Sequence, residues 1–238
     1  MNLRLKIEKK IPDSVKSFIR VHFGKILDCY TKRILGSIEK SYKKHGIEAL
    51  QRFDECMRTN GFKYTLAFGS VLGAIREHGF IKHDHDIDTW MWIEDDSPQL
   101  LPALREYGFT PVYHISVAND KCGKFYKIEY KGCDIDIFFI YPAINTYPYC
   151  CDFVKIENDG MSYNQKLARR IEMPISRETK IVPFEGLMLP VPFNAEELCV
   201  FRYGEHYMTP DPQWDWVKER KNLVEWTEML EQTIVEKL

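Results

Sequence analysis

The sequence predicts a mixed α/β or α+β domain. Three observations carry that expectation: helical apolar spacing early in the chain, short apolar runs further on, and two pairs of such runs joined by two-residue turns. The chain has 238 residues, 45% hydrophobic and 29% charged, enough for one substantial core. Disorder, collagen and coiled coil are excluded as the main architecture.

Residues 13–58 read as helical, because Ile34, Leu35, Ile38, Tyr42 and then Ile47, Leu50, Phe53, Met57 recur at three- and four-residue spacing. Gly46 is expected to divide two helices, and Asn60-Gly61 to stop the second. Tyr64–Phe68 reads as a short buried strand, Val71–Glu77 as a short helix closed near Gly79, and Asp86–Ile93 as a second strand. Ser97-Pro98 marks a helix start and Gly108 its end. Phe125–Tyr130 and Cys133–Ile140 flank Lys131-Gly132 as a hairpin; Thr179–Phe184 and Leu187–Val191 flank Glu185-Gly186 as another. Asn194 with Glu197 resembles a capping box for a helix ending at Gly204, and a last amphipathic helix is expected from Asp215 to Glu236.

Net charge is −2, from 33 Lys+Arg against 35 Asp+Glu, which gives no electrostatic reason to expect nucleic acid as a partner. Residues 1–45 hold 12 Lys+Arg and 4 Asp+Glu, a local +8, so the remainder carries −10. That basic start reads either as a solvated helical face or as attraction to an anionic surface. No apolar targeting segment is visible, and the longest apolar run, Ile137 to Ile144, is too short to span a bilayer. Seven cysteines without a C-x-x-C pair fit reduced thiols in a cytoplasmic compartment.

The chemistry concentrates between Phe68 and Asp88. Gly69-Ser70 sits between a strand and a helix start, where glycine permits close approach and free helical N–H groups hold a phosphate. Asp84, Asp86 and Asp88 alternate with His85 and Ile87, so on a strand all three face one way. Like charges so arranged repel, and hard carboxylate oxygens suit Mg²⁺ or Mn²⁺. Asp134 and Asp136 lie in an otherwise apolar strand, where a carboxylate must be paired or metal-bound. If this strand lies beside Asp86–Ile93, one of them completes a metal site; the alternative is pairing with Arg76 or Lys82. His78, His83 and His85 fit no standard zinc spacing. Trp214, Trp216 and Tyr207 either line an acceptor groove or pack the last helix.

The order Gly-Ser, Asp-x-Asp, then a later strand aspartate resembles the nucleotidyltransferase superfamily of polymerase-β type. A closer resemblance is to the LicD family. Gly69-Ser-Val-Leu-Gly-Ala-Ile-Arg76 with Gly79-Phe-Ile-Lys-His-Asp-His-Asp-Ile-Asp88 is similar to its signature, approximately G-T-L-L-G-x-x-R…G-x-I-P-W-D-D-D-I-D. Phe184–Phe193, Leu198 and Tyr203–Pro212 are similar to the family's closing segment, so the resemblance covers about residues 47–216. Ser70 replaces a threonine, Lys82-His83 replaces Pro-Trp, and His85 replaces the middle aspartate; the three alternating aspartates survive.

The resemblance implies a nucleotidyltransferase-like mixed β-sheet flanked by helices, with extra N- and C-terminal helices. It divides the chain into a basic helical segment, 1–45, and a catalytic domain, 46–238. It implies transfer of a phosphorylated alcohol, such as phosphocholine, from a CDP-alcohol donor to a glycan or lipid-linked glycan hydroxyl, with release of CMP. Mg²⁺ or Mn²⁺ would be held by Asp86, Asp88 and Asp136, and either Asp136 or Asp84 would take the acceptor proton. Gly69 and Ser70 would contact donor phosphate. Arg76 would neutralise leaving-group charge or form a structural ion pair, and the loop carrying Lys82 would read the donor headgroup or only repack. The location expected is cytoplasmic, with at most peripheral contact at the inner membrane face. Three rivals stay open: a nucleotidyltransferase releasing pyrophosphate, a glycosyltransferase using Asp86-Ile87-Asp88, and a non-catalytic glycan-binding domain.

Overall fold

A computed structural model of the chain describes residues 40–82, 84, 86–155, 166–211, 223–229 and 232–238. Most of the basic start, His83, His85 and residues 212–222, with Trp214 and Trp216, lie outside the described residues.

Helix α1 (residues 40–59) turns its apolar stripe inward, burying Tyr42, Ala49, Leu50, Phe53, Cys56 and Met57. The break expected at Gly46 does not occur. The helix runs straight through it because the Phe80 ring packs there, and an added methyl would meet that ring at 3.3 Å. The stop at Asn60-Gly61 does occur. Gly61 takes φ +72°, the Phe62 N–H reaches the Met57 carbonyl at 2.8 Å, and the last turn is closed.

Strand β1 is only Thr65–Leu66, shorter than expected, because Phe68 turns to φ +40° and opens α2 (Phe68–Arg76) three residues ahead of Val71. Then come β2 (Asp86–Trp92), a short 3₁₀ turn (Ile93–Asp95) and α3 (Leu100–Glu106). The Ser97 hydroxyl accepts from the Gln99 N–H at 3.2 Å, so Ser97 shapes the turn before α3 rather than capping it directly. Strand β3 (Thr110–Val117), which the sequence does not announce, precedes the expected hairpin of β4 (Gly123–Tyr130) and β5 (Cys133–Ile140). Its turn residues Lys131 and Gly132 both take positive φ, the geometry whose twist matches paired strands.

Strands β6 (Tyr149–Lys155) and β7 (Lys166–Glu172) follow, then the second expected hairpin, β8 (Thr179–Phe184) and β9 (Leu187–Pro192), and α4 (Ala195–Tyr203) ending at Gly204. The Asn194 side chain makes no cap bond to α4. It accepts from the Ser176 N–H at 3.0 Å and donates to the Pro174 carbonyl and to Glu197 Oε2 at 3.2 Å, tying the chain before β8 to the first turn of α4.

The described part of the expected C-terminal helix is two strands and a 3₁₀ turn (Thr227–Met229) between them. Strand β10 (Leu223–Glu225) pairs with β7, and β11 (Thr233–Lys237) pairs antiparallel with β3. The open edge of β3 supplies hydrogen bonds that a helix would not use, and Thr233, Ile234 and Val235 are β-branched. The main sheet is mixed, in the order β1-β2-β5-β4-β3-β11, with β2 and β5 parallel and the other pairs antiparallel. Helices flank it, and smaller sheets β10-β7-β6 and β8-β9 complete the fold. Among the described cysteines, Cys56, Cys133, Cys150, Cys151 and Cys199 are buried, Cys122 is partly so, and none is in a disulfide.

One glycine fixes how α2 meets the chain leading to β2. A methyl group on Gly73 would run into the backbone carbonyl of Gly79. Gly73→Ala is therefore expected to cost about 1–3 kcal/mol in urea unfolding, as overpacked sites do.

Candidate active site

In β2, side chains alternate, so Ile87 is fully buried on one face while Asp86 and Asp88 lie on the other. In β5, Ile135 and Ile137 are fully buried, and Asp134 and Asp136 occupy the opposite face. The parallel register sets Asp86 beside Asp134 and Asp88 beside Asp136. One carboxylate oxygen from each of Asp86, Asp88 and Asp136 lies within 4.8 Å of the other two.

The backbone under these groups is pinned from several sides. The Ser70 hydroxyl, at the start of α2, accepts from the Asp88 N–H at 3.0 Å. The Ala67 N–H donates to the Asp88 carbonyl at 2.9 Å. Tyr42, from α1, donates to the Asp86 carbonyl at 3.0 Å, and the Thr89 hydroxyl donates to the Asp136 carbonyl at 3.0 Å.

Among the described residues, Lys127 and Arg202 border the cluster. In β4, Lys127 stands opposite Asp136 in the antiparallel register. Its ammonium hydrogen-bonds Asp134 Oδ2 at 3.1 Å and lies 2.7 Å from Asp136 Oδ1. Asp136 Oδ1 is buried, and this short ion pair with Lys127 is the contact that holds it. From α4, the Arg202 guanidinium sits 4.5 Å over the Phe68 ring, and its charge favours the ionised form of Asp88.

These cations do not balance the site. Burial foremost, then repulsion from Asp86, Asp136 and Asp84, holds the Asp88 carboxyl well above the usual carboxylate range. Burial likewise pushes Asp136 up to about 7, although Lys127 acts against it. Three carboxylates each offering an oxygen within 4.8 Å of the others fit a hard divalent cation.

The other sequence-selected residues are placed differently. Asp84 precedes β2 rather than lying on it, and its carboxylate rests against Gly69. Ser70 is buried, with its hydroxyl turned to β2. Arg76 is bonded through Nε to Glu77 Oε1 at 2.8 Å and through a terminal nitrogen to the Tyr207 carbonyl at 3.2 Å. Lys82 is exposed. Neither Arg76 nor Lys82 is the partner of Asp134 and Asp136; that partner is Lys127. Lys127 was legible in principle, because counting outward from the Lys131-Gly132 turn sets it opposite Asp136. Arg202 carries no such signal, since only folding brings α4 to Phe68.

The sign of the pH dependence follows from these shifts. A carboxyl whose folded pKa is raised binds its proton more tightly when folded. The metal-free protein should therefore lose stability as pH rises from about 4 through about 7. Asp88→Asn should raise the metal-free melting temperature at pH 8 and flatten that slope, in thermal unfolding across a pH series.

Comparison with known proteins places this geometry. The sequence model described as LicD/FKTN/FKRP, nucleotidyltransferase domain, matches residues 61–194, more than half of the chain. An uncharacterised protein of Rickettsia prowazekii is 30% identical over 46% of this chain and 41% of its own length. An uncharacterised protein of Caenorhabditis elegans is 24% identical over 90% of this chain and 57% of its own. The mouse ribitol-5-phosphate transferase FKTN is 23% identical over 80% of this chain and 41% of its own. The chain thus spans about half the length of the relatives it matches. With its aspartates converging inside the matched region, the chain belongs to the LicD/FKTN/FKRP family of nucleotidyltransferase domains.

Proposed function

We propose that the protein is a metal-dependent phosphotransferase that moves a phosphorylated alcohol from a CDP-alcohol donor to a glycan hydroxyl and releases CMP. The observation that carries this reading is the convergence of Asp86, Asp88 and Asp136 at the edge of the Gly69-Ser70 turn. The family and the ribitol-5-phosphate transferase relatives support a phosphotransferase over the glycosyltransferase and binding-domain readings.

Phosphoryl transfer asks mainly for positioning and charge neutralisation. Mg²⁺ or Mn²⁺ held by Asp86, Asp88 and Asp136 supplies that neutralisation at the donor diphosphate. The chain's own residues do the rest. Ser70, Tyr42 and Thr89 fix the strands so that the carboxylates stay convergent. Gly69, at the start of α2, has no side chain and so lets the Asp84 carboxylate close against the helix start. Arg76 holds the Tyr207 segment against α2, and Lys82 is exposed, free of the strand pairing that fixes the aspartates. Asp84, outside the triad but close enough to raise the pKa of Asp88, takes the acceptor proton as the acceptor oxygen bonds to phosphorus and the bond to CMP breaks. The acceptor is a surface glycan or its lipid-linked precursor. Among the described residues no helix is long and apolar enough to cross a membrane, and the basic first 45 residues carry charge that an anionic surface attracts.

The test is CMP release from CDP-ribitol, CDP-choline and CDP-glycerol with and without divalent metal, read by mass spectrometry. We expect metal-dependent release with at least one donor. No turnover and no binding across the panel overturns the reading, and pyrophosphate release from a nucleoside triphosphate favours the nucleotidyltransferase alternative. Asp88→Asn and Asp136→Asn should each lower kcat by at least about a hundredfold. For Asp88→Asn, that loss should accompany the stability gain described above.

A further inference from the structure

Lys127 is a partly buried cation at the acidic site that the proposed mechanism leaves without a part. Its ammonium is anchored by a hydrogen bond to Asp134, a carboxylate outside the triad, and is ion-paired with Asp136, a carboxylate inside it. Asp136 Oδ1 faces the ammonium at 2.7 Å, so a cation taken up by Asp136 shares this carboxylate with Lys127. The anchor leaves Lys127 in place whether or not Asp136 takes another cation. The register makes this unavoidable, since Asp88, Asp136 and Lys127 sit side by side on three adjacent strands.

We propose that Lys127 is the resident counter-ion of the acidic site, one that weakens divalent-cation binding to the free protein and couples it to binding of a diphosphate. This rests on the metal reading given under Proposed function. A fixed positive charge beside a shared carboxylate repels an incoming dication, and its cost is greatest where water is excluded. An anionic diphosphate is attracted by the ammonium and the dication together, so the two ligands are taken up as a pair. The free protein is thereby kept from holding a tightly bound ion in the absence of donor.

The experiment titrates Mn²⁺ by electron spin resonance, with and without CDP as the diphosphate probe, into the full chain and its Lys127→Met, Lys127→Gln and Lys127→Arg variants. Without CDP, the two neutral variants should bind Mn²⁺ tighter than the parent by on the order of tenfold. CDP should tighten Mn²⁺ binding strongly in the parent and in Lys127→Arg, and much less in the neutral variants. Lys127→Gln keeps a polar head beside Asp134, so it carries the test if Lys127→Met does not fold. Equal or weaker Mn²⁺ binding in the neutral variants overturns the inference, because a merely structural lysine would then orient Asp136. Mn²⁺ binding that occurs in every variant without any response to CDP also overturns it. No Mn²⁺ binding anywhere, with or without CDP, overturns the metal reading itself and this inference with it.

Discussion

The parallel pairing of β2 with β5 is the constraint on which the site depends. Each strand carries two aspartates separated by one isoleucine, so each has one acidic and one apolar face. Burying Ile87 and Ile135 beneath the sheet forces all four carboxylates to the other side. The register then decides which of them meet. Asp88 falls level with Asp136, and a slip of one residue would turn one strand's acids into the core.

That arrangement costs free energy, and the fold supplies the means to hold it. Repulsion and burial raise the pKa of Asp88 and Asp136, which marks a site kept for a reason other than stability. Around it lies a dense frame. Phe139, Ile128 and Ile135 are fully buried, and α1 brings Phe53 and Leu50 into the same core. Tyr42 and Ser70 each bond a main-chain group directly beneath an aspartate, so the helices on either side fix the acidic strand as well as cover it. Lys127 and Arg202 border the cluster from β4 and α4 without neutralising it.

The edges of the fold show how tertiary pairing overrides local pattern. Thr233–Lys237 follows a stretch with helical apolar spacing, yet it completes the main sheet because the edge of β3 is open to it. Gly46 looks like a helix break and is instead a contact point for Phe80. Asn194 looks like a cap and serves as a tie to Pro174 and Ser176. In each case a residue type with two local uses is assigned to one of them by a neighbour distant in the chain.

The sequence by itself determined the mixed fold class, the two hairpins with their turns, the helix stop at Asn60-Gly61 and the identity of the acidic residues that converge. These are readable because turn chemistry and side-chain alternation act over a few residues. Even Lys127 opposite Asp136 follows from a two-residue turn. Only the tertiary structure decided that β5 lies parallel to β2, that Asp84 rests on Gly69 rather than on the strand, and that Arg202 arrives over Phe68. Those placements join residues well beyond one turn or hairpin of each other, and they are set by how whole faces pack against a common core, which no local pattern encodes.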